Sequence, residues 1–233
     1  MERRAHLPFT LEEFGRTRRG ALLEWLAPAS GECRTLIIAG VHGEEPETTV
    51  ILSRALRCLA APPEHVACVL AVNPDGLLSG TRGNAAGVDL NRNFPAANWQ
   101  PEPVGYRWHV DEPEAAPVTI GTGSEPASEP ETRALLELLD RLRPSRVVAL
   151  HAPLACVDDP CDSPAGRWLA ERTALPLVTE IGYPTPGSMG SWAIERNLPW
   201  ITWEFPKRSI EELSRDYVPI LVEMLTGEEF HPL

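Results

Sequence analysis

His42 and Glu45 stand three residues apart in Gly40-Val41-His42-Gly43-Glu44-Glu45-Pro46. An imidazole and a carboxylate at that spacing, in a turn after a strand, can be aimed at one ion, and both groups suit zinc. Gly40 and Gly43 free the backbone for tight or left-handed conformations, and Pro46 fits the first position of a helix. An isolated HxxE is more often a turn whose polar groups face water, so the case has to come from elsewhere in the chain. His151 ends the apolar run from Arg146 to Leu150 and is the best placed third ligand, although a histidine in that position is otherwise a satisfied structural residue. His6, His65, His109 and His231 fall in terminal or loop contexts. Glu204 interrupts the apolar run Trp200-Ile201-Thr202-Trp203-Glu204-Phe205. Burying a carboxylate there unpaired costs several kcal/mol and raises its pKa, which makes it a candidate general base.

Two histidines and one glutamate leave a fourth zinc position open, the pattern of a catalytic site. An ion held there would bring the pKa of a water ligand to about 7, within reach of Glu204. Arg82, Asn84, Asn91 and Arg92 fall within a dozen residues and offer planar forks and amide donors, suited to holding a carboxylate or polarising a carbonyl. Either arginine by itself also fits an ordinary surface ion pair.

Strands must carry these residues. Apolar, β-branched runs of strand length occur at 21–26, 35–39, 66–72, 146–150, 176–179 and 200–204. Helical periodicity fills 46–59, 129–143, 163–173, 188–197 and 209–225. Strands apolar at nearly every position are covered on both faces, which predicts an α/β fold with a central, mostly parallel sheet. Ligands then bind at the carboxyl ends of the strands. The Pro- and Gly-rich stretch 95–130 has little periodicity and is expected to be an irregular excursion, either a rim of the active site or an ordered surface loop.

The 233 residues carry a formal charge of −12, which argues against nucleic acid as a partner. No apolar run reaches membrane-spanning length, so membrane insertion is not expected. The first residues lack the apolar stretch of a signal peptide, and five cysteines without close pairing suit a reducing compartment, so the expected location is cytoplasmic.

The HxxE of His42 and Glu45, the Asn91-Arg92 pair in Gly87-Val88-Asp89-Leu90-Asn91-Arg92-Asn93-Phe94-Pro95, His151 and Glu204 occur in this order. From about Gly31 onwards the chain resembles the zinc carboxypeptidase (M14, carboxypeptidase A) family. The resemblance implies one domain over 1–233, a three-layer α/β/α fold with a mixed, mostly parallel sheet, and one Zn2+ per chain. It makes His42, Glu45 and His151 the metal ligands and Glu204 the general base. Arg82 would stabilise the oxyanion, Asn91 and Arg92 would hold the substrate's terminal carboxylate, and Asp89 would orient a ligand histidine. A cis peptide is implied between Ala152 and Pro153.

Longer stretches, His151 to Cys156 with Asp158-Asp159-Pro160, and Ile181 to Trp192, are similar to the branch of that family that hydrolyses the γ-D-glutamyl–meso-diaminopimelate bond of murein peptides. That narrower resemblance implies a murein tripeptide or a related small peptide as substrate, with Tyr183, Ser188 and Met189 at the substrate site. Tyr183 stands near the position of the capping tyrosine of digestive relatives and receives no catalytic step. Asp158 or Asp159 could meet the free ammonium at the far end of diaminopimelate, and a solvated loop accommodates both aspartates equally. The alternatives are a deacylase resembling succinylglutamate desuccinylase and aspartoacylase, a general zinc carboxypeptidase, or a binding module without turnover. The oligomeric state stays open, a homodimer included.

Overall fold

The computed structural model describes residues 5–7, 9–106, 118–227 and 230. His109 and His231 therefore lie outside the described residues, as does the middle of the Pro-rich excursion.

Eight strands form one sheet: β1 (Glu12–Arg16), β2 (Leu22–Leu26), β4 (Val66–Val69), β3 (Thr35–Ile38), β7 (Arg146–His151), β10 (Trp200–Pro206), β8 (Leu154–Asp158) and β9 (Leu177–Val178), in that spatial order. The central block β4, β3, β7 and β10 is parallel, while β1, β2 and the β10–β8 pair are antiparallel, so the sheet is mixed. β3, β4 and β7 are buried at every position, as expected of strands covered on both faces. Successive side chains go to opposite faces. Ile37, Val148, Leu150 and Trp203 join a core beneath α1 (Pro46–Leu56), α4 (Pro164–Thr173) and α6 (Ile210–Thr226). Leu36, Ile38, Val147 and Ala149 join a second core against α3 (Pro130–Leu142) and α5 (Met189–Ile194). The result is the three-layer α/β/α arrangement.

Local sequence sets where the helices begin. Ser163, Ser188 and Ser209 each accept a backbone N–H of the first turn, and Ser209 completes a capping box with Glu212. Burial of large side chains then fixes β10. Trp203 packs edge-to-face against Phe205 and at a tilt against Tyr217, with ring centroids 5.0 Å away in both cases. Each such ring contributes about 1.5–3 kcal/mol through burial. That packing anchors the strand that carries Glu204.

Several elements differ from the sequence expectation. The strands at 66–72 and 176–179 and the helices at 46–59 and 188–197 are shorter than their apolar patterns, and α1 and α5 close on the C-caps Arg57 and Glu195. β1 is a charged edge strand with a bulge between Glu13 and Gly15, and it pairs with β2 without a run of buried residues. Gly15 allows this pairing, since a Cβ there would lie 2.6 Å from the Ala134 side chain of α3. α2 (Pro74–Ser79) is six residues long, too short to display a period, and is fixed by the Asn73 cap. β8 follows the cis Ala152–Pro153 bond and is sided rather than continuously apolar. The excursion 95–130 is not wholly irregular: β5 (Val104–Tyr106) and β6 (Val118–Ile120) pair within it.

Among the described residues no helix is long and apolar enough to cross a membrane. All five cysteines are free thiols.

Candidate active site

Adjacent parallel strands bring the distant residues of the site together. β3 pairs with β7, and both run to the same edge, so the turn after β3 carries His42 to the end of β7, where His151 stands. β10 lies on the other side of β7, with Glu204 in register opposite His151. The His42 turn is tight for two reasons. Gly40 takes φ +62°, and a Cβ on Gly43 would fall 1.9 Å from the backbone of Gly76 in α2. Glu45 occupies the cap position of α1 but makes no capping bond with its side chain, which turns toward the histidines instead.

His42 Nδ1 lies 2.6 Å from Glu45 Oε1, and His151 Nδ1 lies 3.0 Å from Glu45 Oε2 and 3.2 Å from His42 Nδ1. All three residues are buried. The opposite edge of the His42 ring donates from Nε2 to Asp89 Oδ1 at 3.1 Å, so Nδ1 is the nitrogen directed at Glu45 and His151 and the one that can ligate an ion once it gives up its proton. Two imidazole nitrogens and a carboxylate with ligand atoms within 4.8 Å of one another form the donor set of a tetrahedral zinc site with one position left for solvent or substrate. Burial and Arg82 disfavour the His42 imidazolium, yet the carboxylates of Glu45 and Asp89 outweigh both and raise its pKa to about 9. The cluster thus demands positive charge between its donors. The residues fit a divalent ion.

Asp89 ties the site together. Its Oδ1 also accepts the Asn91 N–H at 2.8 Å, and its Oδ2 accepts from Arg82 Nε at 2.8 Å. Burial opposes ionisation of Asp89, but Arg82 and His42 hold its carboxyl well below the usual range. Arg82 extends Nη1 to Glu44 Oε1 at 3.4 Å, and its guanidinium sits over the Tyr106 ring, 5.3 Å from the centroid. Asn91 Oδ1 accepts the Met189 N–H at 2.9 Å, so its amide NH2 faces away from that bond. Arg92 is buried and donates to the Asn91 carbonyl at 2.6 Å. Glu204 accepts the Leu154 N–H at 3.3 Å, and burial raises its pKa against the opposing pull of His151.

His42, Glu45, Arg82, Asn91, Arg92, His151 and Glu204 line a cavity of about 1410 Å3 that also receives Gly105 and Tyr106 from β5, Tyr183 and Ser188 from the segment before α5, and Asp158 and Thr202 from the β8–β10 pair. Part of the Pro-rich excursion is therefore cavity wall. Tyr183 is half-exposed on that wall. Ser188 reaches the cavity, but its hydroxyl caps α5 by accepting the Ser191 N–H. The Met189 side chain is buried in the core and touches the site only through its backbone N–H, because it begins α5 with its side chain facing the sheet. Tyr106 and Glu44 are partners of Arg82 that sequence reasoning did not single out. Tyr106 sits in a three-residue strand, where no period exists to mark it.

The two aspartates of β8 and its following turn separate cleanly. Asp159 is fully buried and accepts the N–H groups of Cys161 and Ser163 and the Ser163 hydroxyl, so it shapes the start of α4 and has no room for a ligand. Asp158 faces the cavity, where burial and the neighbouring Asp159 raise its pKa to about 6. In the unfolded chain an aspartate titrates near 4. Between those values the folded protein binds more protons than the unfolded one, so stability falls as pH rises through this window, and the full penalty stands above pH 6. Asp158→Asn is therefore expected to raise Tm by about 2–4 °C at pH 7.5, corresponding to about 1 kcal/mol after allowance for solvent screening, and to leave it unchanged at pH 3.5. Calorimetry at the two pH values checks this, and an equal shift at both would contradict it.

The zinc carboxypeptidase model of peptidase family M14 matches residues 15–154. The chain is 49% identical over 232 residues to murein peptide amidase A of Escherichia coli K12, covering 99% of this chain and 94% of that protein. It is 41% identical over 223 residues to the protein of the same name from Vibrio campbellii, covering 95% and 90%. Its fold superposes on the crystal structure of murein-tripeptide amidase MpaA from Escherichia coli O157 with a TM-score of 0.91 at 46% identity, over 98% of this chain and 95% of the other. Thrombin activatable fibrinolysis inhibitor shares the fold alone, with a TM-score of 0.70 at 17% identity, over 94% and 70%. The convergence of His42, Glu45 and His151 at the strand ends thus coincides with an independent match of sequence and fold, and the chain belongs to the zinc carboxypeptidase family, peptidase M14.

Proposed function

We propose that the chain is a zinc-dependent hydrolase of the γ-D-glutamyl–meso-diaminopimelate bond in murein peptides, serving peptidoglycan recycling or turnover. The observation that carries the reaction class is the convergence of both Nδ1 atoms and the Glu45 carboxylate on one point, with Glu204 one strand away in register. Similarity along nearly the whole chain to proteins named for murein peptides supports the substrate class. Five unpaired thiols fit a reducing cytoplasm, and the chain acts as one domain.

His42, Glu45 and His151 would hold one Zn2+, which supplies Lewis acidity that activates water and polarises the scissile carbonyl. Glu204 takes a proton from the attacking water at its carboxylate and passes it to the leaving amine. Its buried position and raised pKa suit both transfers. Arg82, held by Asp89 and braced over the Tyr106 ring, presents its remaining N–H groups to the developing oxyanion. Arg92 and the Asn91 amide hold the carboxylate on the leaving side, and Asn91 is oriented for this by the Met189 N–H. Tyr183 and Ser188 contribute wall surface, and Asp89 fixes the His42 tautomer.

The test is a substrate comparison with zinc-analysed protein. Release of diaminopimelate from L-Ala-γ-D-Glu-meso-diaminopimelate is expected, with far less release from an ordinary C-terminal peptide and none of the acid from N-acetylaspartate. Turnover of the ordinary peptide alone, or of the acylated amino acid alone, would overturn the proposal.

A further inference from the structure

Asp158 is a carboxylate in the wall of a cavity, without a side-chain partner among the described residues. It lies opposite Thr202 in the antiparallel β8–β10 pair, two residues along the strand from Cys156, which faces Glu204. Val157 and Trp203 point into the core on the other face, so Asp158, Thr202 and Glu204 share the face that borders the cavity. Among the described residues no side-chain hydrogen bond or ion pair engages Asp158, whereas its neighbour Asp159 is saturated. Two residues of extended strand span about 7 Å, so the Asp158 carboxylate lies one short side chain away from the position of the general base.

We infer that Asp158 is the specificity-determining residue that receives the side-chain ammonium of the amino acid released on the leaving side of the scissile bond. The inference rests on the reading proposed above and adds what selects the substrate. Diaminopimelate departs with three methylenes between its reacting centre and its distal amino-acid end. Asn91, Arg92, Thr202 and Asp158 line the same cavity, so a leaving-side carboxylate held at Asn91 and Arg92 would leave that chain free to extend over the β8–β10 pair to Asp158. A half-buried carboxylate that has lost part of its hydration gains more from an arriving ammonium than a fully solvated one does. Charge-assisted hydrogen bonds of this kind discriminate strongly against an analogue without the donor.

The experiment uses three peptides, L-Ala-γ-D-Glu-X, in which X is meso-diaminopimelate, L-lysine or 2-aminopimelate. Lysine keeps the ammonium and lacks the distal carboxylate, and aminopimelate keeps the carboxylate and lacks the ammonium. The unsubstituted enzyme is expected to favour diaminopimelate over aminopimelate by about 10- to 100-fold in kcat/KM, chiefly through KM. In Asp158→Asn that ratio is expected to fall below about 3, with the lysine peptide losing activity in step with diaminopimelate. Zinc content should stay at that of the unsubstituted enzyme. A general loss of folding would lower all three peptides together and leave the ratio unmoved. If the variant does not fold, the preference of the unsubstituted enzyme decides: equal cleavage of the diaminopimelate and aminopimelate peptides overturns the assignment. Cleavage of the murein tripeptide with an unmoved ratio in Asp158→Asn removes the role of Asp158 alone, whereas no cleavage of the tripeptide by the unsubstituted enzyme removes the proposed function as well.

Discussion

Glu204→Gln is expected to lower kcat by about 10^2- to 10^4-fold while zinc content and KM stay near those of the unsubstituted enzyme. Glutamine has nearly the same shape and its amide oxygen can still accept the Leu154 N–H, so the local backbone should not move. It cannot take a proton from water or return one to an amine. The carboxylate is also a burden on the fold, because it is buried and its pKa is raised by desolvation, so its removal should not destabilise the protein. Steady-state kinetics with metal analysis on the same sample checks the prediction. Undiminished kcat would take Glu204 out of the mechanism and leave a buried glutamate in β10 without an explanation.

His151→Ala is expected to abolish activity by a different route, the loss of the ion. Without the imidazole the cluster keeps only the His42 Nδ1 and the Glu45 carboxylate, and two donors do not hold zinc against dilution. Bound zinc should fall from one per chain to less than about 0.1 after gel filtration, and added zinc should restore little activity. The fold should survive, since His151 ends β7 and the strand's four apolar residues are buried independently of it. Circular dichroism alongside metal analysis separates the two effects. Full zinc retention in a folded variant would move the third ligand to another residue.

The donors of this site were legible in the chain because each sits where a strong local pattern ends. His151 and Glu204 interrupt or end runs of buried residues, and the His42 turn is bounded by glycines that the structure uses, one for a positive φ and one for a close backbone approach. Parallel strands at the sheet centre announce themselves by continuous burial, and β3, β4, β7 and β10 were readable for that reason. What stayed hidden depends on pairing between distant segments. β1 is a charged edge strand, β8 is defined by its partner β10, and β5 with β6 exists only as a pair of three-residue strands. The same limit applied to side chains. Nothing in the local sequence separates Asp158 from Asp159, whereas the folded chain commits one to capping a turn and leaves the other facing the cavity. Met189 carried a substrate role by resemblance; its side chain lies in the core, and its backbone N–H is bonded to Asn91 Oδ1.

The most direct measurement is hydrolysis of L-Ala-γ-D-Glu-meso-diaminopimelate by the zinc-loaded enzyme in H2 18O, with mass analysis of both products. Attack of water on the γ-glutamyl carbonyl places one 18O in the γ-carboxylate of the released L-Ala-D-Glu and none in diaminopimelate, and removal of the metal by a chelator should stop the incorporation. Label in diaminopimelate, or incorporation that persists without the metal, would contradict the proposed reaction.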